Sequence, residues 1–199
     1  MDKTSFRAEP FLWIHLGGIA VYPLACLLTW LALGIGVPFS SYGLEIGFLL
    51  LAGLAPILWM QWFRPFEIFS LLIISLSPEA LTPRQRQILS LFRRPRQRWL
   101  TLGGGLLSVA KLAALYYFAP LASVAAADLP QNRFLALGLA ALAFLIANLF
   151  LQVPLSVLGA LFSSQETLSQ QPAPEPGDIP KLFTLPGLRL RRIPLISSF

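Results

Sequence analysis

Four stretches of the chain, 11–37, 44–63, 99–127 and 134–153, are almost purely apolar. An α-helix needs roughly 20 such residues to cross the hydrocarbon core of a bilayer, and each stretch is long enough. They predict an all-α membrane protein with four transmembrane helices, a membrane domain over 11–162 between a short amino-terminal stretch, 1–10, and a tail, 163–199. The first run exceeds the roughly 7–15 apolar residues of a signal-peptide core. Its leader mixes Asp2 and Glu9 with Lys3 and Arg7, so this helix is expected to be retained.

Proline marks where the apolar runs change direction, because it lacks a backbone donor and its ring clashes with the preceding turn. Pro65 ends the second run, and the apolar segment 66–76 that follows is too short to cross and contains Glu67. It is expected to lie at the membrane interface or to re-enter partway. Pro154 closes the fourth run in the same way, leaving 155–162 as the last turns of a tilted helix or a second interfacial segment. Pro23 and Pro56 fall inside spans, where neighbouring helices can satisfy the carbonyls they free.

The connection 77–98 opens on Thr82-Pro83-Arg84-Gln85, the spacing of a capping box with proline at the first helical position. The short helix it predicts has Ile88, Leu89, Leu91 and Phe92 against Arg84, Arg86, Arg93 and Arg94. It reads equally as a helix lying on an anionic leaflet and as a solvated connector. Trp13-Ile14-His15-Leu16-Gly17-Gly18 matches Trp99-Leu100-Thr101-Leu102-Gly103-Gly104, either as a trace of two parallel two-helix repeats or as a chance likeness between apolar stretches. From 163 to 178 the composition turns to Ser, Gln, Pro and Glu, which predicts a disordered tether. The end, 179–199, combines apolar residues with Lys181, Arg189, Arg191 and Arg192 and reads as an extended segment that docks on a partner or on the membrane surface.

Composition agrees with a membrane solvent: 56% of the 199 residues are hydrophobic and only 12% charged, against about 25% charged in soluble domains. The net charge of +6 would suit nucleic acid if it were clustered on one soluble face. Instead Lys3 and Arg7, the arginines of 64–98 and the basic tail all fall on one side of a four-span arrangement, whereas the opposite connections carry only Asp128 and Arg133. The positive-inside rule then places both termini in the cytoplasm, and nucleic acid is not an expected partner. Cys26 is the sole cysteine, so an intrachain disulfide or a cysteine metal cluster is excluded.

Chemistry in a bilayer usually announces itself through ionisable residues inside the spans. Lys111 and Glu45 are the two here; they could pair, line a path, or snorkel. Glu67, three residues after Arg64, is expected to form a local ion pair. His15, the lone histidine, is a weak candidate ligand for a pigment or metal and otherwise an interfacial hydrogen-bonding group. Gly43 with Gly47, and Ala136, Ala140, Ala143 and Ala147, form small-residue stripes for close helix packing. Arg84, Arg86, Arg93, Arg94, Arg96, Arg98, Arg189, Arg191 and Arg192 are the expected contacts with the membrane surface or a partner. No P-loop, zinc-protease motif, nucleophile elbow or pair of catalytic carboxylates occurs, which argues against an enzyme and leaves any cofactor undefined.

The blocks Glu9-Pro10-Phe11-Leu12-Trp13-Ile14-His15-Leu16, Ala55-Pro56-Ile57-Leu58-Trp59-Met60-Gln61-Trp62, Arg64-Pro65-Phe66-Glu67-Ile68-Phe69 and Asn148-Leu149-Phe150-Leu151-Gln152-Val153-Pro154 resemble those of cyanobacterial low-complexity-tail membrane proteins. The ending Phe183-Thr184-Leu185-Pro186-Gly187-Leu188-Arg189 is similar too, although the low-complexity tail here is short. The resemblance implies a thylakoid or plasma membrane and brings no activity with it. The resulting expectation is a non-enzymatic scaffold or assembly factor, for example of a photosynthetic or respiratory complex, embedded in lipid and bound to membrane proteins or to further copies of itself. A small transporter or channel subunit is the alternative, with Lys111 as its key residue.

Overall fold

The computed structural model describes residues 5–71 and 73–191. Four helices in it are long and apolar enough to cross a membrane: α1 (Pro10–Leu33), α2 (Tyr42–Phe63), α4 (Pro95–Tyr117) and α6 (Arg133–Leu161). Shorter helices are α3 (Pro83–Leu91), α5 (Ala119–Ala125), α7 (Gln165–Ser169) and α8 (Ile179–Leu182), and three strands, β1 (Ser70–Leu71), β2 (Ile74–Leu76) and β3 (Leu188–Leu190), form a small sheet. The chain divides into two compact units: residues 1–17, 60–101 and 153–199, and residues 18–59 and 102–152. Lys3, Arg192 and the apolar residues after it lie outside the described residues.

The span boundaries shift from expectation where proline or glycine intervenes. The third span begins four residues earlier than predicted, at Pro95, and stops at Tyr117 rather than at 127. Pro120 accounts for the stop, because its ring would clash with the Tyr116 carbonyl if the helix continued. The Phe118 carbonyl at this break accepts from the Leu121 N–H at 3.1 Å and from Trp30 Nε1 at 2.8 Å. The first span ends at Leu33 instead of 37, where Gly34 comes so close to α5 that a Cβ there would lie 2.6 Å from the Ala122 carbonyl carbon. The turn is completed by Gly36 at φ 71°, a left-handed conformation that glycine adopts without steric cost.

In the second span, Pro56 would meet the carbonyl of Ala52 in a regular α-helix. The ladder widens into a π-helical segment over Leu50–Leu54, the bulge by which helices absorb such a clash. Asn148 on α6 donates from Nδ2 to the Gly53 carbonyl at 3.0 Å and to the Phe144 carbonyl at 2.8 Å. Around this point the unit of 18–59 and 102–152 packs Leu33, Leu49, Leu54, Leu112, Ala140 and Phe144 into a core.

The fourth span passes through Pro154 without a break and runs to Leu161. Val157 and Ala160 beyond the proline are fully buried in the core of the other unit, which rewards continuing the helix. Pro65 and Pro154 therefore play different parts, contrary to a repeat in which each ends a hairpin. After Pro65 the segment 66–76 is a turn and hairpin: β1 and β2 are antiparallel, and β3 adds to β2 in parallel. Helix α3 starts as the sequence predicts, with Gln85 N–H donating to Thr82 Oγ1 at 3.2 Å and Thr82 N–H to Gln85 Oε1 at 3.0 Å. Its apolar side joins Phe11, Leu12, Ile68 and Phe69 in the core.

The tail departs most from expectation. The tether predicted over 163–178 contains α7, and Leu168, Ile179 and Phe183 are buried with the α3 residues. An extended segment does appear beyond it, at β3.

Gly53→Ala would place a Cβ 2.7 Å from Phe144 Cδ1 and 3.2 Å from the Ala141 carbonyl oxygen. Overpacking of this kind costs about 1–3 kcal/mol. The variant is expected to unfold at a lower temperature in detergent by circular dichroism, whereas Gly138→Ala, which meets open space, is expected to be neutral or slightly stabilising.

Candidate functional site

The two ionisable groups brought together inside the spans are Glu45 and Arg133, and Lys111 is not one of them. Arg133 Nε donates to Glu45 Oε1 at 2.9 Å, and its Nη2 pairs with Glu45 Oε2. Nη1 donates to the Leu33 and Ile35 carbonyls at 2.8 and 2.9 Å, the groups left open where α1 ends. Glu45 also accepts from Phe39 N–H at 2.8 Å and from the Tyr116 hydroxyl. Both side chains are almost completely buried. Buried charges survive only when paired and fully hydrogen-bonded, and the five-donor fork of arginine meets that demand where the single ammonium of Lys111 cannot. Lys111 is half-buried on α4 with no ion pair among the described residues. An open cavity of about 460 Å³ adjoins the pair, lined by Leu33, Gly36, Pro38, Tyr42, Tyr116 and Arg133. In the sequence Arg133 looks like a loop charge; the available signal was that one acid and one arginine each stand within a few residues of the start of a span.

In the other unit, arginines hold the tail. Arg7 donates to the Ser163 carbonyl at 3.2 Å, Arg86 to that of Pro174 at 2.9 Å, and Arg64 to those of Phe183, at 3.2 Å, and Pro180. Ser90 Oγ adds a bond to the Pro172 carbonyl at 2.7 Å. Proline-rich backbone makes no internal hydrogen bonds, so its carbonyls are free to accept, and a polar face of α3 supplies donors. Arg64 is thereby diverted from Glu67, and the expected local ion pair does not form. Glu67 is fully buried, with Oε1 accepting from Phe69 N–H at 2.8 Å and Oε2 without a partner among the described residues. Burial pushes its carboxyl up to about 8, against the smaller opposing effect of the Phe69 N–H.

The remaining predicted residues are scattered. Arg84 is half-buried, close enough to Glu9 to interact with it electrostatically. Arg93, Arg94 and Arg98 line a small polar pocket, with the Arg98 guanidinium 5.6 Å from the centre of the Trp62 ring. Arg96, Arg189 and Arg191 are exposed, and Arg192 lies outside the described residues. His15 Nδ1 is 2.9 Å from the Phe11 carbonyl and its ring packs on Phe66. Among the described residues no group of three His, Cys, Asp or Glu side chains could hold a metal. Ala136, Ala140, Ala143 and Ala147 are buried. Gly43 and Gly47 are exposed, with nothing within 4 Å of a built Cβ, so within this chain they are not packing residues. The packing glycine of α2 is Gly53.

The model of the low-complexity tail membrane protein-like family matches residues 8–195. The chain belongs to that family. The match covers all four spans, α3 and the strapped tail, so in this member the tail is part of the matched fold. No curated protein and no solved structure matches the chain.

Removing one partner of a buried pair costs about 3–5 kcal/mol because the other charge is stranded. Arg133→Leu and Glu45→Gln should each lower the unfolding free energy in detergent by that order, and the double variant should lose clearly less than the sum. Glu67 produces a pH effect of defined sign. Its folded-state proton is held up to about 8, while an unfolded glutamate releases it near its ordinary value, about 4.3. Between those limits the folded state binds more protons, so stability falls as pH rises, by at most about 1.4 kcal/mol per pH unit. Glu67→Gln should flatten the unfolding temperature between pH 5 and pH 8 and raise it at the upper end.

Proposed function

We propose that this chain is a non-enzymatic membrane scaffold that receives a helix of a partner membrane protein on the outer face of α2. The observation that carries the reading is the bare stripe Gly43, Gly47 and Leu51. Glycine costs a helix about 0.8–1 kcal/mol relative to alanine, and small residues are favoured in spans where another backbone approaches closely. Among the described residues nothing lies within 4 Å of where a Cβ on Gly43 or Gly47 would stand, which favours a use for them outside the chain. Leu51 and Leu44 beside them are 72% exposed, and only 28% of the most apolar window of α1, α2 and α4 is buried. The paired state of Glu45 and Arg133 suits a structural role for intramembrane charge.

The proposed orientation has the basic stretches and both termini in the cytoplasm, following the positive-inside rule. The resemblance to cyanobacterial proteins supports a thylakoid or plasma membrane and a photosynthetic or respiratory complex as the assembly served. Of the two partner surfaces expected, the small-residue helix faces and the tail, the α2 face carries the reading, since residues 163–184 are engaged within their own unit. A small transporter or channel subunit is the second reading, favoured by the cavity of about 460 Å³ and by half-buried Lys111.

The test is a mild-detergent pulldown of tagged wild type and of Gly43→Leu/Gly47→Leu, with mass spectrometry of the eluates. A defined membrane protein retained by wild type and lost by a monodisperse, stable double variant is the expected result. Identical partners from both would overturn the α2 reading, and loss of a solute flux in Lys111→Met with partners intact would favour the transporter.

A further inference from the structure

Where the end of α2, the turn after α3 and the start of α4 meet, Gln61, Trp62, Arg93, Arg94, Gln97 and Arg98 surround a pocket of about 30 Å³. All six belong to one unit. No carboxylate lines the pocket. Three guanidinium groups therefore concentrate positive charge in it, and the Arg98 guanidinium lies 5.6 Å from the centre of the Trp62 ring. Gln61 and Gln97 are each 95% buried, at 5% exposure. Each nevertheless keeps an amide atom without a partner among the described residues, Gln61 Nε2 and Gln97 Oε1. A buried polar atom without a partner destabilises the fold unless a ligand or water meets it. The Gln97 amide is turned to α6, where Nε2 donates to the Ser156 carbonyl at 3.0 Å and Oε1 lies beside Gly159, so Gln61 Nε2 next to three arginines is the group that indicates a missing anionic ligand.

We propose that this pocket binds a phosphate group. Guanidinium forks match phosphate oxygens in geometry and charge, and Gln61 Nε2 supplies a buried neutral donor. The space has room for about two water-sized groups, which suits phosphate oxygens at the mouth and excludes a bulky ligand. The pocket lies at the ends of two spans, at the depth of lipid headgroups, where basic pockets between helices take anionic lipid. Three guanidinium groups and one amide donor, with no carboxylate among the lining residues, favour a phosphodiester of net negative charge, which a choline headgroup does not leave. Phosphatidylglycerol has that composition, and free phosphate shares the anionic part.

The experiment uses the delipidated full-length protein in detergent, titrated with phosphatidylglycerol or phosphatidylcholine and read by native mass spectrometry, with inorganic phosphate as a separate competitor. The expected result is one phosphatidylglycerol retained per chain in preference to phosphatidylcholine. Arg93→Ala/Arg94→Ala should reduce that preference about ten-fold or more, and Gln61→Leu should reduce it as well. Full displacement by inorganic phosphate would support the phosphate site and assign it to the free anion. Equal binding of the two lipids without competition by phosphate, or a preference unchanged in a monodisperse Arg93→Ala/Arg94→Ala protein, would overturn the proposal.

Discussion

A charge inside a bilayer cannot be left to water, and the pairing of Arg133 with Glu45 shows how this fold meets that constraint. The pair neutralises two charges and also finishes three pieces of backbone: the carbonyls of Leu33 and Ile35 where α1 ends, and the Phe39 N–H ahead of α2. One guanidinium thus ties the start of α6 to the end of α1 and to α2. The close approach of Gly34 to α5 and the left-handed turn at Gly36 follow from holding the chain in that place.

The same accounting of backbone groups explains the less regular parts. Proline in a span frees a carbonyl that lipid cannot satisfy. Here side chains add donors to carbonyls near two of the prolines: Trp30 for Phe118 beside Pro120, and Asn148 for Gly53 in the π-helical segment before Pro56. In the unit that includes the tail, the acceptors are carbonyls of a proline-rich stretch and the donors are Arg7, Arg64, Arg86 and Ser90. Arginines that look on paper like a surface charge are in part an internal clamp.

Glu67 shows the opposite solution to the same problem. With Arg64 engaged by the tail, no cation among the described residues pairs with its carboxyl, and burial favours the neutral form instead. A carboxyl with one satisfied oxygen and a proton on the other is compatible with an apolar surrounding of Ile68 and Phe69 in a way that a carboxylate is not.

The sequence alone determined the architecture, because a bilayer demands long apolar helices and four runs of the required length can be read directly from composition. The capping box at Thr82 was legible for a similar reason: both partners lie within one turn of chain. What depends on distant residues was not legible. Pro65 and Pro154 are alike in sequence, yet one ends a helix and the other sits inside one: both are followed by residues of the same core, which Val157 and Ala160 enter as helix and Ile68 and Phe69 as the turn leading into β1. Gly43, Gly47 and Gly53 all stand on α2, and only a neighbouring helix could decide that Gly53 is the crowded one. Lys111 and Arg133 were equally available to Glu45 on charge. Tertiary structure chose the arginine, since satisfying two carboxylate oxygens and two open carbonyls at once requires a planar, multi-donor group at a meeting point of three segments.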